Sequence, residues 1–132
     1  MKNALLILTL LCGYAAQAQY QLYKESDSLQ IYTKWSHVKW YNKKSGDVLL
    51  VKVVNRSSST VEFSIGVEFF SDMKLAEESP VSNYCLEAGK TLKPRVHGLV
   101  FQTTKGKKEN DDSIEFKDFD IVKKGNDKCP KE

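Results

Sequence analysis

Between Thr60 and Phe70 the chain alternates apolar and polar residues without a break. Val61, Phe63, Ile65, Val67 and Phe69 fall on one side; Glu62, Ser64, Gly66 and Glu68 fall on the other. Successive side chains of an extended strand project to opposite faces, so this pattern asks for a β-strand with one buried and one wet face. No window long enough for a helix repeats apolar residues at three- and four-residue spacing, and the expectation is an all-β protein.

The neighbouring segments extend the same reading. Leu29, Ile31, Thr33 and Trp35 alternate with Gln30, Tyr32 and Lys34. Asp47–Asn55 is apolar on both faces and rich in valine, which marks a central strand. The polar run Arg56–Ser59 then predicts a hairpin between Asp47–Asn55 and Thr60–Phe70. After a turn at Ser71–Lys74, Leu75–Leu86 reads as a strand broken near Ser79-Pro80, because proline cannot donate to a ladder. Thr91–Phe101 reads as a further strand, irregular at Pro94, with Lys93, Arg95 and His97 on one face. In Ile114–Val122, Ile114 and Phe116 share one phase while Phe119 and Ile121 share the other. An extra residue near Lys117-Asp118 would reconcile them, since one inserted residue flips the facing of all that follow. About seven short strands joined by polar turns predict an antiparallel β-sandwich, with a small barrel as the structural alternative.

Residues 1–18 have the form of a secretory signal peptide. Lys2 is followed by a nearly unbroken apolar run from Ala4 to Cys12, and Ala16-Gln17-Ala18 places small residues at a cleavage site. The run is shorter than the ~20 apolar residues a membrane-spanning helix needs. Cys12 invites a lipoprotein reading, but Leu11 before it is a poor fit to a lipidation signal. Residues 19–132 then form a single exported domain, periplasmic or extracellular. Lys2 is the leader's only charge, so the exported part carries one positive charge fewer than the chain's +3. Such a near-balance gives no argument for nucleic acid or an acidic membrane surface. Cys85 and Cys129 remain after cleavage, and an even count outside the cytoplasm suggests one disulfide.

The succession LLVKVVNRSSSTVEFSIGVEFFSDMKLAEES, followed by CLEAGKTLKPRVHGLVF, resembles the strand–Asn–turn–strand and Leu-x-x-Gly-Lys rhythm of small exported bacterial Ig-like domains, as in Bacteroidetes-type bacteria. It covers about half of residues 19–132. The resemblance implies an Ig-like sandwich without a catalytic motif. The antibody-type core is not implied: no tryptophan lies between Cys85 and Cys129, and Tyr84 sits one residue before Cys85 where two are required.

Chemistry-bearing patterns are sparse. His37 and His97 stand apart from any His-x-His, His-x-x-x-His or Cys-x-x-Cys spacing, so no metal is expected. There is no Gly-x-Ser-x-Gly turn. Cys85 paired with a histidine would make a nucleophile, but disulfide formation is its expected fate. Glu109, Asp111 and Asp112 lack the ligand register of a calcium loop, and Lys105–Ser113 reads as a charged, solvated loop. Asn55-Arg56-Ser57 is a glycosylation-like sequon.

Lys34–Lys44 (KWSHVKWYNKK) interleaves Trp35, Trp40 and Tyr41 with Lys34, His37, Lys39, Lys43 and Lys44. These aromatics either plug the core, with Trp35 continuing the buried phase of its strand, or form a partner-binding surface. The leading expectation is a non-enzymatic exported sandwich, without a cofactor, acting as a cell-envelope or extracellular interaction module. Its candidate contacts to a protein or glycan partner are Trp40, Tyr41, Lys43 and Lys44. A carbohydrate-binding module using the same aromatics, or a small secreted hydrolase inhibitor, are the alternatives. Nothing in the sequence fixes the oligomeric state.

Overall fold

The computed structural model describes residues 19–103, 106, 113–125 and 128–131, with 113 and 117–124 described as backbone only. The expected leader 1–18 and most of the expected loop Lys105–Ser113 lie outside the described residues. Nine strands form two antiparallel sheets. In chain order they are β1 (Gln21–Glu25), β2 (Leu29–His37), β3 (Asp47–Asn55), β4 (Thr60–Ser71), β5 (Lys74–Glu78), β6 (Ser82–Leu86), β7 (Thr91–Leu92), β8 (Val100–Phe101) and β9 (Ser113–Gly125). One sheet runs β1-β2-β3-β7, with β8 pairing farther along the same edge of β3; in the other, β4 is flanked by β9 on one side and by β6 and β5 on the other.

The core lies between the sheets and follows the period of two. Leu29 and Ile31 from β2, Leu49, Val51 and Val53 from β3, and Val61, Phe63, Ile65, Val67 and Phe69 from β4 are all buried, joined by Leu86, Leu92 and Leu99. Trp35 packs against this cluster, 6.2 Å between ring centroids from Phe69. On the flank where β1 meets β9, Tyr23 closes the sandwich. Its hydroxyl donates to the Ile114 carbonyl at 2.8 Å and its ring meets Phe116 edge-on at 4.8 Å.

The strand count is nine where about seven are expected, for three local reasons. β1 is exposed at all five positions, so it carries no apolar stripe to read. The segment Leu75–Leu86 is split into β5 and β6, and Ser79 stitches the break by exchanging bonds with Val67: Ser79 N donates to Val67 O, and Val67 N donates to Ser79 Oγ, both at 2.8 Å. The expected strand Thr91–Phe101 is a correction. Pro94 begins a single helical turn, Pro94–His97, closed by Gly98 in the left-handed region at φ +75°, and only β7 and β8 remain extended. Pro94 lacks an N–H for the ladder but suits the first helical position.

The hairpin expected between Asp47–Asn55 and Thr60–Phe70 is also corrected. β3 pairs with β2, β7 and β8, while β4 belongs to the other sheet. Arg56–Ser59 is an arch carrying the chain from one sheet to the other. Asn55, fully buried, is its keystone. Nδ2 donates to Ser59 O at 2.7 Å and Leu86 O at 2.9 Å; Oδ1 accepts from Ser57 N at 2.9 Å and Ser57 Oγ at 2.7 Å. The amide's hydrogen-bonding capacity is thus filled by groups the arch would otherwise leave orphaned. The sequon is closed to glycosylation in the folded domain, since both Nδ2 hydrogens are committed inside.

Two expectations hold in detail. Ser64 aligns with Asp120 and Gly66 with Lys117, so β9 carries one extra residue across this interval. That is the bulge that the change of phase in Ile114–Val122 requires. Cys85 and Cys129 form a disulfide with Cα atoms 5.6 Å apart. Cys85 pairs with Glu62, which alternates with the buried positions of β4, so the bridge ties the C-terminal tail to the outer face of β6.

Candidate functional site

The β2–β3 connection stands at the opposite end of the sandwich from the Asn55 arch, because Leu29 pairs with Asn55 while His37 pairs with Asp47. It divides the KWSHVKWYNKK segment three ways. Trp35 turns inward onto Phe69, and Lys34 lies on the outer face of the first sheet, 5.7 Å from the Tyr20 ring centroid. Trp40 and Tyr41 stand on the loop, 76% and 69% exposed, their rings edge-to-face at 5.6 Å and 88°. Lys43 and Lys44 follow on the same loop in an exposed 3-10 turn, Lys43–Ser45. The structure therefore brings the four candidate residues onto one loop, and of the three aromatics only Trp35 serves the core.

The loop is exposed but tied down. Asn42 caps the 3-10 turn, its Oδ1 accepting from Lys44 N at 3.0 Å. Ser45 Oγ accepts from Lys39 N at 2.8 Å and lies 2.6 Å from Asn42 O, to which it donates. Val38 N donates to Gly46 O at 2.9 Å. Gly46 has φ +93°, and a Cβ there would come 3.0 Å from Gly106 O and 3.2 Å from Gln102 Nε2. At the base, His37 Nδ1 and Asp47 Oδ1 lie 3.0 Å apart. From the helical turn Arg95 reaches across and donates to His37 O at 2.8 Å and Val38 O at 3.0 Å. Two fixed carbonyls thus hold one guanidinium at the loop's root.

The expected face of Lys93, Arg95 and His97 does not exist as a strand face. Lys93 precedes the helical turn, Arg95 braces the loop, and His97 Nδ1 folds back to within 2.9 Å of Lys93 N and 3.0 Å of Lys93 O. An open cleft of about 930 Å³ runs along the flank between β6 and β7, lined in part by Glu62, Tyr84, Glu87, Lys90, His97 and Cys129. Cys85 is held in the disulfide, which leaves no thiol there to act as a nucleophile. Among the described residues no three His, Cys, Asp or Glu side chains group closely enough to hold a metal. No helix among them is long and apolar enough to cross a membrane.

A second group escaped the sequence reading. On the outer face of the first sheet, Lys52 lies directly across from Tyr32 in the ladder. Its Nζ stands 4.6 Å from the Tyr32 ring centroid and 4.7 Å from that of Tyr20. Tyr20, the neighbours Tyr32 and Lys34, and Lys52 come from separate stretches of the sequence, and the strand register gathers them. Partial burial raises the pKa of Tyr20, although the Arg95 charge opposes it. Burial also raises Tyr23, helped by the negative Glu115, and raises Tyr84 against a hydrogen bond from Ser82. All three hydroxyls stay protonated at neutral pH.

No protein-family model matches the chain, and neither a curated protein nor a solved structure matches it.

Proposed function

We propose that the protein is an exported, non-enzymatic Ig-like sandwich that serves as an interaction or accessory module in the periplasm or outside the cell. It engages a partner through Trp40 and Tyr41, with Lys43 and Lys44 at the rim. The observation that carries this reading is the exposure of two adjacent large aromatics on a loop pinned by the Asn42 cap, the Ser45 hydroxyl and the Val38–Gly46 bond. Isolated exposed apolar residues are common, but an exposed Trp–Tyr pair on a rigid support is what a contact surface needs. Docking would remove roughly 150–250 Å² per ring from water, a gross gain of about 4–6 kcal/mol each before the costs of association. Because the loop is already ordered, little of that gain is lost to fixing it.

A protein partner fits better than a glycan at this loop. The two rings stand at 88° and offer no shared flat platform for a sugar ring, whereas a wedge of crossed rings suits a pocket. The disulfide supports an oxidising compartment, in keeping with the leader-like residues 1–18, and such a compartment argues against nucleic acid as the ligand. The hydrolase-inhibitor alternative rests on the Lys105–Ser113 loop, most of which lies outside the described residues.

The test is affinity capture from the native envelope fraction. The wild-type protein is expected to retain a specific partner that W40A/Y41A, with an unchanged melting temperature, does not. Equal retention by both would remove the loop from the interaction.

A further inference from the structure

Two ammonium groups converge on Tyr20. Lys52 Nζ lies 4.7 Å and Lys34 Nζ 5.7 Å from its ring centroid. Among the described residues neither Lys34 nor Lys52 forms an ion pair with a carboxylate. Like charges held together without a counter-charge repel, and a bound anion relieves the repulsion.

The register sets the pattern of this face. Tyr32 is opposite Lys52, and Gln21 is opposite Thr33, which places Tyr20 beside Lys34. Tyr20 and Lys34 thus face each other on one rung and Tyr32 and Lys52 on the next, so tyrosine and lysine alternate along a diagonal stair that crosses three strands. Gln30 extends it along β2, its Oε1 accepting from the Tyr32 hydroxyl at 2.9 Å and from Arg56 Nε at 2.9 Å.

We propose that this outer face is a binding site for an acidic polysaccharide, one whose sugar rings carry carboxylates. Each uronate ring combines an apolar C–H surface with one negative charge, and each Tyr–Lys pair offers an aromatic rim with one ammonium. The carboxylate–ammonium contact is charge-assisted, and the tyrosine rim beside each ammonium offers the apolar surface that the sugar C–H groups need. A nucleobase needs an open aromatic face to stack on, and here an ammonium already stands over each tyrosine. An acidic peptide brings charge without the ring. The site is separate from the Trp40–Tyr41 loop and does not depend on its role.

The experiment titrates the protein with polygalacturonate at low ionic strength, with neutral dextran, poly-glutamate and single-stranded DNA as comparators. Variants are K34Q/K52Q, K34R/K52R, K74Q as a charge control on the other sheet, and W40A/Y41A. Polygalacturonate is expected to bind, K34Q/K52Q to weaken it by about tenfold or more, and K34R/K52R to retain it. K74Q and W40A/Y41A are expected to bind as the wild type does. The proposal is overturned if K34Q/K52Q binds unchanged, if K74Q weakens binding equally, or if poly-glutamate or DNA binds as tightly. Circular dichroism on each variant shows whether the sandwich is intact. Should K34Q/K52Q fail to fold, the single variant K52Q with the same comparators decides the matter by the same criterion.

Discussion

The two ends of β3 break the usual inside–outside rule in opposite directions. At its C-terminal end a polar amide, Asn55, is fully buried; beyond its N-terminal end an indole and a phenol, Trp40 and Tyr41, stand in water. The buried amide is explained by structure alone, because four hydrogen bonds fill it and an arch between sheets needs them. The exposed aromatics have no such internal account. Among the described residues no hydrogen bond runs to either side chain, and the loop's bonds run through Asn42 and Ser45 instead. An inversion that the scaffold uses is architecture, and one that the described scaffold does not use is what motivates the proposed contact surface.

The sharpest way to break this contrast is at the arch. Asn55→Ala takes the amide donor from the buried Leu86 carbonyl and the acceptor from the part-buried Ser57 amide, and leaves Ser59 O with only the Ser57 hydroxyl; it is expected to destabilise by about 3–5 kcal/mol in denaturant unfolding. A loss below about 1 kcal/mol would mean the arch is held by other means. Opening the disulfide acts on the outer face of β6 instead. With its cysteines 44 positions apart, C85S/C129S is expected to lower stability by about 3–4 kcal/mol through the unfolded chain's regained freedom. Calorimetry of the variant beside the reduced wild type checks it.

At the aromatic end the effects shrink. Gly46→Ala forces a side chain into φ +93° and against Gly106 O, at about 1–3 kcal/mol. Loop amides such as Val38 should then exchange faster with solvent while those of β4 do not. A smaller effect is expected from pH. The raised pKa values of Tyr20, Tyr23 and Tyr84 mean that folding favours their protonated form. Their contribution is fully present below the ordinary tyrosine value of about 10 and is lost as pH rises through the higher folded values. Melting temperature should therefore be flat with respect to these groups at neutral pH and decline in strong alkali. An alkaline rise would contradict the direction of the shifts.

How much of this was legible in the sequence depended on whether a signal was local. Strand β4 announces itself because each residue's facing is set by its neighbours, and β3 likewise reads as central from its valines. The bulge in β9 was readable for the same reason, as a change of phase between Phe116 and Phe119. Sheet membership was not readable. A four-residue polar link looks alike whether it closes a hairpin or arches between sheets, and the difference lies in where Asn55 aims its amide. The helical turn at Pro94 was hidden by the alternation around it. The positions of Trp40 and Tyr41 were undecided because the period of two ends at His37, and after that point no rule fixes facing. The Tyr20–Lys34–Lys52 group lay beyond reach altogether, since it exists only once three strands are in register.

The contrast between the ends comes down to whether Trp40 and Tyr41 take any part in holding the molecule together. Equilibrium unfolding of W40A/Y41A against the wild type answers that directly. A difference within about 0.5 kcal/mol is predicted; a loss of several kcal/mol, or failure of the double variant to fold, would place the pair in the core and remove the basis for a contact surface there.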